Sequence, residues 1–260
     1  MIDAQILVVP DPESAFAAAA AHIARSLTAA VAARGRADWA TTGGSAAPGI
    51  YRHLAGDPFR DEVPWADVQV WWGDDRFVAW SDEASNVRPF HEGMLALGVT
   101  LTADHLHPFR TTKAVAEDRD AAWAAGRVAR DLADARLDLR DGWPVLDLVL
   151  VGIGGDGHVL SVFPGSAAFD SSAWALAIPA PTHIEPHLER MTLNPALLGI
   201  AREVLVIATG TGKAAVLAEI FGEAIDPRRW PAQLALIDTA TWILDEAAAG
   251  QLPKELRAGE

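Results

Sequence analysis

His158 stands directly behind a glycine-dense turn, GIGGDG at 152–157, which closes an apolar run rich in Val and Leu. A buried strand that empties into glycines lets backbone approach a ligand closely. An imidazole at its edge titrates near neutral pH, so the pattern suits proton transfer on a small substrate. The same six residues match G-x-G-x-x-G, the dinucleotide fingerprint. Two features argue against that use. The motif lies in mid-chain instead of an opening βαβ unit, and Pro164 follows too soon for the long helix that should hold a pyrophosphate. A lone histidine is commonly a capping or core residue; the flanking glycines tip His158 towards function.

Four further segments carry residue types that recognise anions or move protons. Thr41-Thr42-Gly43-Gly44-Ser45 lies between a strand pattern and a helix pattern. Its glycines and the following helix N-terminus suit a phosphate, the alternative being an ordinary tight turn with Ser45 as N-cap. Thr209-Gly210-Thr211-Gly212-Lys213 imitates a P-loop, but Ile207 stands at the first glycine and Ala214 replaces the magnesium-binding Ser/Thr. Lys213 still opens a helix after a strand, either meeting an anion as a point charge or lying solvated. In Trp72-Gly73-Asp74-Asp75-Arg76, acids flank an arginine just past a strand end: a device that orients a substrate, or a surface ion pair worth little. Ser85-Asn86-Val87-Arg88 is expected to cap a helix and aim Arg88 into a cleft. Arg190 starts a strand, with an edge charge as the alternative.

The elements that must hold these residues alternate strand and helix patterns. Strands are expected at Gln5–Val9, 37–42, Val68–Trp72, 146–151, 174–178, 191–193, 204–208 and 242–244. Helices are expected at Pro12–Arg34, stopped by Gly35, and at Ala47–Leu54, 114–135 and 213–221, with an acidic helix last. This alternation predicts an α/β fold: a doubly wound, mainly parallel sheet flanked by helices, Rossmann-like. The turn-rich stretch 138–144 is a candidate subdomain seam, but the whole chain, 1–260, reads as one domain, loosely held beyond Leu252. The ten tryptophans are expected chiefly in the core.

Composition narrows the partners. A net charge of −14 opposes nucleic acid and anionic membrane surfaces, yet permits a small anion where a few cations converge. The lysines are three, Lys113, Lys213 and Lys254. There is no cysteine, which excludes disulfides, thiolate zinc sites and cysteine nucleophiles, and fits a cytoplasmic protein. The N-terminus lacks the basic region of a signal peptide and reads as a first strand. No uncharged apolar stretch of about 18 residues marks a membrane span.

Taken in order, TTGGSAAPGIY, WWGDDRFV, SDEASN, GIGGDGHVLSVFPG, ERMTLNP and TGTGKAAVL resemble the 6-phosphogluconolactonase family across most of the chain. The sister family of glucosamine-6-phosphate deaminases shares the GGS turn and the glycine–histidine turn. There, however, the histidine leads into an A-F-N-E-P type of sequence, and a tyrosine stands where this chain has Arg76. Asp75 replaces the glutamate usual in the lactonase D-E-R, and Ala46-Ala47-Pro48 replaces the common Thr-Pro. The resemblance implies the sugar-phosphate isomerase/deaminase type of fold and hydrolysis of 6-phospho-D-glucono-1,5-lactone without metal or cofactor. In that reading His158 takes the proton of the attacking water. Asp74 or Asp156 orients the imidazole, and backbone N–H groups of the Gly154–Gly157 turn, or Arg76, stabilise the oxyanion, with Gly154 and Gly155 beside the substrate. Lys213, Arg88 and Arg190 hold the phosphate with Gly43, Gly44 and Ser45. The expected partner is the lactone alone, with no nucleic acid or membrane, and the assembly a monomer or homodimer. An amino-sugar-phosphate deaminase or isomerase, and a non-catalytic sugar-phosphate sensor, are the alternatives.

Overall fold

The computed structural model describes residues 3–222 and 224–257. Its strands, in chain order, are β1 (Gln5–Val9), β2 (Ala37–Thr41), β3 (Val68–Trp72), β4 (Asp74–Arg76), β5 (Leu106–His107), β6 (Leu139–Arg140), β7 (Trp143–Pro144), β8 (Leu148–Gly152), β9 (Ala175–Ile178), β10 (Arg190–Leu193), β11 (Glu203–Ala208) and β12 (Ala240–Asp245). Seven of them form one parallel sheet in the order β1-β12-β11-β8-β2-β3-β5. From β2 the chain winds outward through β3 to β5; from β8 it winds the other way through β11 to β12. The order reverses between β2 and β8, and open α/β sheets place ligands at such a switch, beyond the carboxyl ends of the strands.

Residue pattern explains why these strands sit where they do. β2, β8 and β11 are buried along nearly their whole length, as strands covered on both faces must be. Trp39, Trp71, Trp72 and Trp242 are fully buried among them. Helix Pro12–Arg34 starts at Asp11, whose carboxylate accepts the Ser14 N–H at 2.7 Å, and stops at Gly35 in the left-handed region. Its length and mean hydropathy would pass for a membrane span. Here Ala15, Ile23 and Leu27 are instead fully buried, and the helix packs on β2, β11 and β12.

A second sheet, antiparallel β4-β10-β9, stands against the first. The strand patterns at 174–178 and 191–193 belong to this smaller sheet, which sequence alone did not separate from the parallel one. Gly73 is the joint: its N–H donates to Thr41 O and its carbonyl accepts from Leu193 N, both at 2.8 Å. A Cβ there would fall 2.7 Å from Leu160 Cδ2, so a side chain at the bend from β3 into β4 would push that methyl group aside.

Several expected elements are corrected. The helix at 114–135 is two, Thr111–Ala116 and Ala121–Asp134. Asp118 turns left-handed and Asp120 caps the second helix by accepting the Trp123 N–H, so local carboxylates interrupt the pattern. The seam at 138–144 is the β6-β7 hairpin, whose Asp141-Gly142 turn has positive φ at both residues. Residues 213–221 begin as a 3₁₀ turn and become α-helical at Ala214–Ile220. The late acidic helix is a 3₁₀ turn, Ala248–Gln251, whose Ala248 N–H donates to Asp245 Oδ1 at 2.8 Å. Beyond Leu252, residues Lys254–Arg257 form a helical turn beside β1, and 258–260 lie outside the described residues.

Candidate active site

A cleft of about 200 Å³ opens at the switch point, between the loops that follow β2, β3, β8 and β11. A wider groove lies at the β1 edge, distant from these loops in the fold and lined by Ile6, Leu7 and His22. The switch-point cleft is the smaller of the two. It is the one in which titratable groups converge, and that chemistry decides between them.

The floor comes from β8 and its turn. The Gly154 N–H donates to His158 O at 2.8 Å and the Gly157 N–H to Gly154 O at 3.1 Å, closing the turn on itself. A Cβ at Gly154 would lie 1.9 Å from His158 Nδ1, so only glycine lets the ring fold back over the turn. There Nδ1 meets Asp156 Oδ1 at 2.6 Å. Burial pushes the Asp156 carboxyl up, but hydrogen bonds from His158 and His183 outweigh it and hold the group well below the usual carboxylate range. An ionised carboxylate only accepts, so Nδ1 carries the proton and donates. The other ring nitrogen, Nε2, has no protein partner among the described residues.

Arg76 on β4 and Arg190 on β10 face each other directly across the antiparallel pair. Both line the cleft, and in each the Nε is buried without a hydrogen-bond partner. Arg76 Nη1 donates to Ala84 O at 2.7 Å, and Arg190 Nη2 to Pro186 O at 3.2 Å. Burial, with the neighbouring Arg76 charge, lowers the Arg190 pKa. Like charges set opposite in a sheet repel, so an anion in the cleft would relieve the pair. Lys213 adds a third cation; its Nζ donates to Ile153 O at 2.6 Å, leaving two of its three donors for a ligand. Burial lowers its pKa while Asp156 opposes the shift.

Gly43, Gly44 and Ser45 form the wall opposite, in front of helix Ala47–Leu54. The cap residue is Ala46, not Ser45, and it makes no side-chain cap; Pro48 has no N–H, so Ala47 and Gly49 carry the uncapped N–H groups of the first turn. Asn86 lies immediately behind: a Cβ at Gly43 would fall 1.9 Å from its Oδ1. Asn86 is fixed by donating its Nδ2 to Asp74 O and Oδ1, while Ser161 Oγ donates to Asp74 Oδ2 at 2.5 Å. Asp75, fully buried, accepts the N–H groups of Arg76 and Asn86 and the Ser85 hydroxyl.

The family described as glucosamine-6-phosphate isomerases/6-phosphogluconolactonase matches residues 10–243. The chain belongs to this family. It is 32% identical to a 6-phosphogluconolactonase of Streptomyces coelicolor over 97% of this chain and 96% of that one. It is 31% identical to one of Mycobacterium tuberculosis, covering 97% of this chain and all of the relative. The solved 6-phosphogluconolactonase of Trypanosoma brucei superposes with a TM-score of 0.82 at 27% identity, over 96% of this chain and 99% of that one.

In this member of the family, ten of the twelve residues singled out from sequence line or support one cleft. Two do not. Arg88 pairs with Glu92 at 2.8 Å one turn along the exposed face of its own helix, and the loop that was to aim it inward is held back by Asp75. Gly155 is exposed at the outer tip of its turn. The carboxylate in contact with the His158 ring is that of Asp156; Asp74 is engaged with Ser161 and Asn86 instead. The turn amides of Gly154 and Gly157 are consumed inside the turn, and that of His158 is taken by Asp156 Oδ1. Sequence reading missed His183 and the supporting roles of Asn86 and Ser161. Asn86 and Ser161 sat inside quoted motifs; His183 lies in a segment with no motif at all.

Proposed function

We propose that the chain hydrolyses 6-phospho-D-glucono-1,5-lactone to 6-phospho-D-gluconate in the oxidative pentose phosphate pathway, with His158 as the proton carrier. The observation that carries this reading is the combination in one cleft of an Asp156-oriented imidazole and three cations with unused donors. The relatives named 6-phosphogluconolactonase, matched along nearly their whole length, support the substrate.

In the reaction, water attacks the lactone carbonyl carbon and gives a proton to His158 Nε2, while Asp156 stabilises the imidazolium. The carbonyl oxygen becomes an oxyanion facing Arg76. As the tetrahedral intermediate collapses, the bond from carbonyl carbon to ring oxygen breaks and the ring oxygen takes the proton back from Nε2. The phosphate sits against Gly43, Gly44 and Ser45 with Arg190 and Lys213. Nothing in this sequence requires a metal, because a lactone carbonyl is already electrophilic.

The test is turnover of fresh lactone in a coupled assay with 6-phosphogluconate dehydrogenase, after subtracting spontaneous hydrolysis. Acceleration above background is expected, with no ammonia released from glucosamine 6-phosphate. Ammonia release would make the protein a deaminase, and binding without turnover would make it a sensor.

A further inference from the structure

The segment 179–189 joins β9 to β10 and carries His183 to the far side of the Asp156 carboxylate. Its Nε2 lies 2.8 Å from Asp156 Oδ2, while Oδ1 of the same group takes the backbone N–H of His158 at 3.1 Å and Nδ1 at 2.6 Å. One carboxylate therefore sits between two imidazoles. Phe163 links the same groups: its ring lies 4.7 Å from that of His158 and 5.6 Å, edge-on, from that of His183, and the Arg190 guanidinium lies 5.4 Å from its centroid.

We propose that His183 is a positioning residue for lactone hydrolysis: by holding Oδ2 of Asp156 it fixes the carboxylate so that Oδ1 locks the His158 ring with Nε2 towards the substrate. The inference rests on the hydrolase reading above. The physical case starts from freedom of rotation. A carboxylate held through one oxygen turns about its last bond at small cost, since that torsion is broad. The Asp156 side chain is 17% exposed, so water competes for whichever oxygen is free. A donor on Oδ2 removes both the rotation and the competitor. The hydrogen bonds from the two histidines also act together to keep Asp156 ionised, the state in which it can only accept. His183 is not among the residues that line the cleft. It acts through Asp156.

Three variants and two readouts test this. His183→Ala removes the donor; His183→Gln keeps a neutral N–H donor at nearly the same reach; His158→Ala reports the base itself. Half of the His183 side chain is exposed, so its two variants keep the fold, and thermal melts verify this for all three. For His183→Ala we expect kcat to fall about tenfold, the worth of one hydrogen bond to a charged group, with KM within about twofold of wild type. His183→Gln should recover most of that loss. Ring ¹⁵N shifts of His158 in the free protein should show Nδ1 protonated in wild type and His183→Gln, and an averaged tautomer in His183→Ala. The proposal is overturned if His183→Ala keeps wild-type kcat, if it changes KM alone, or if the ¹⁵N shifts stay the same. A wild-type protein that fails to hydrolyse the lactone would instead sink the hydrolase reading, while the ¹⁵N shifts still decide the geometry.

Discussion

Lys213 touches Ile153 O with one of its donors and faces the cleft with the rest, so its loss removes charge without opening the core. Lys213→Ala should raise KM about 10- to 150-fold, the equivalent of roughly 1.5–3 kcal/mol for one charge-assisted contact, and leave kcat nearly unchanged. Steady-state kinetics check this; a drop confined to kcat would place Lys213 at the reacting carbonyl instead. Asp75 makes a different kind of prediction. Burial pushes its carboxyl up to about 7 against the backbone N–H bonds of Asn86 and Arg76 that favour the ionised form. The folded state therefore binds a proton that the unfolded chain releases near its reference value of about 3.9, and stability falls as pH rises between those values. Asp75→Asn keeps an acceptor for both N–H groups and carries no charge. It should melt no lower than wild type at about pH 8, with the advantage shrinking towards about pH 4. Melting curves across that range test the sign, and a wild type that outlasts the variant at the alkaline end contradicts it. Asp156 acts in the opposite sense: its depressed carboxyl contributes stability that is lost as pH falls. At this scale the sequence was readable where types cluster, as at the turn that presents His158; it left Asp74 and Asp156 both open as partners of the ring, and it was silent on His183, whose partner is 27 residues away.

Among the elements, the glycine turn after β8 is the one whose geometry the site cannot spare. Gly154→Ala would drive a methyl group into His158 Nδ1, at 1.9 Å from the ideal Cβ position, and dislodge the ring from Asp156. We expect kcat to fall by about two orders of magnitude, towards the loss of a general base, while the far-ultraviolet dichroism stays that of wild type. Retained activity would mean that the ring works from another position. The parallel strands were legible because continuous Val/Leu runs leave a buried strand little alternative. The break at Glu117–Asp120 was not, since a helix-period pattern continues through it and only the capping preference of Asp120 interrupts it. The role of β4 was hidden for another reason: its three residues, Asp74, Asp75 and Arg76, look like a polar loop until β10 pairs with them. That pairing, separated by more than a hundred residues, is what sets the two arginines face to face.

Over the whole molecule, the charges and the core serve separate ends. An acidic chain of net charge −14 concentrates Arg76, Arg190 and Lys213 at one switch point, which favours a small anion there. The core that holds the switch point lies deeper in the sheet. Leu205, fully buried in the middle of β11, touches none of the cleft, so Leu205→Ala should cost about 2–5 kcal/mol of stability with the kcat of the folded protein unchanged. Denaturant melts and kinetics on the same sample check both halves. The central claim is that His158 carries the proton of lactone hydrolysis. Its most direct test is the rate on fresh 6-phosphogluconolactone, above spontaneous hydrolysis, for wild type and His158→Ala. The expected result is a loss of about 10²–10⁴ in kcat with KM little changed; a His158→Ala protein that works at the wild-type rate would contradict it.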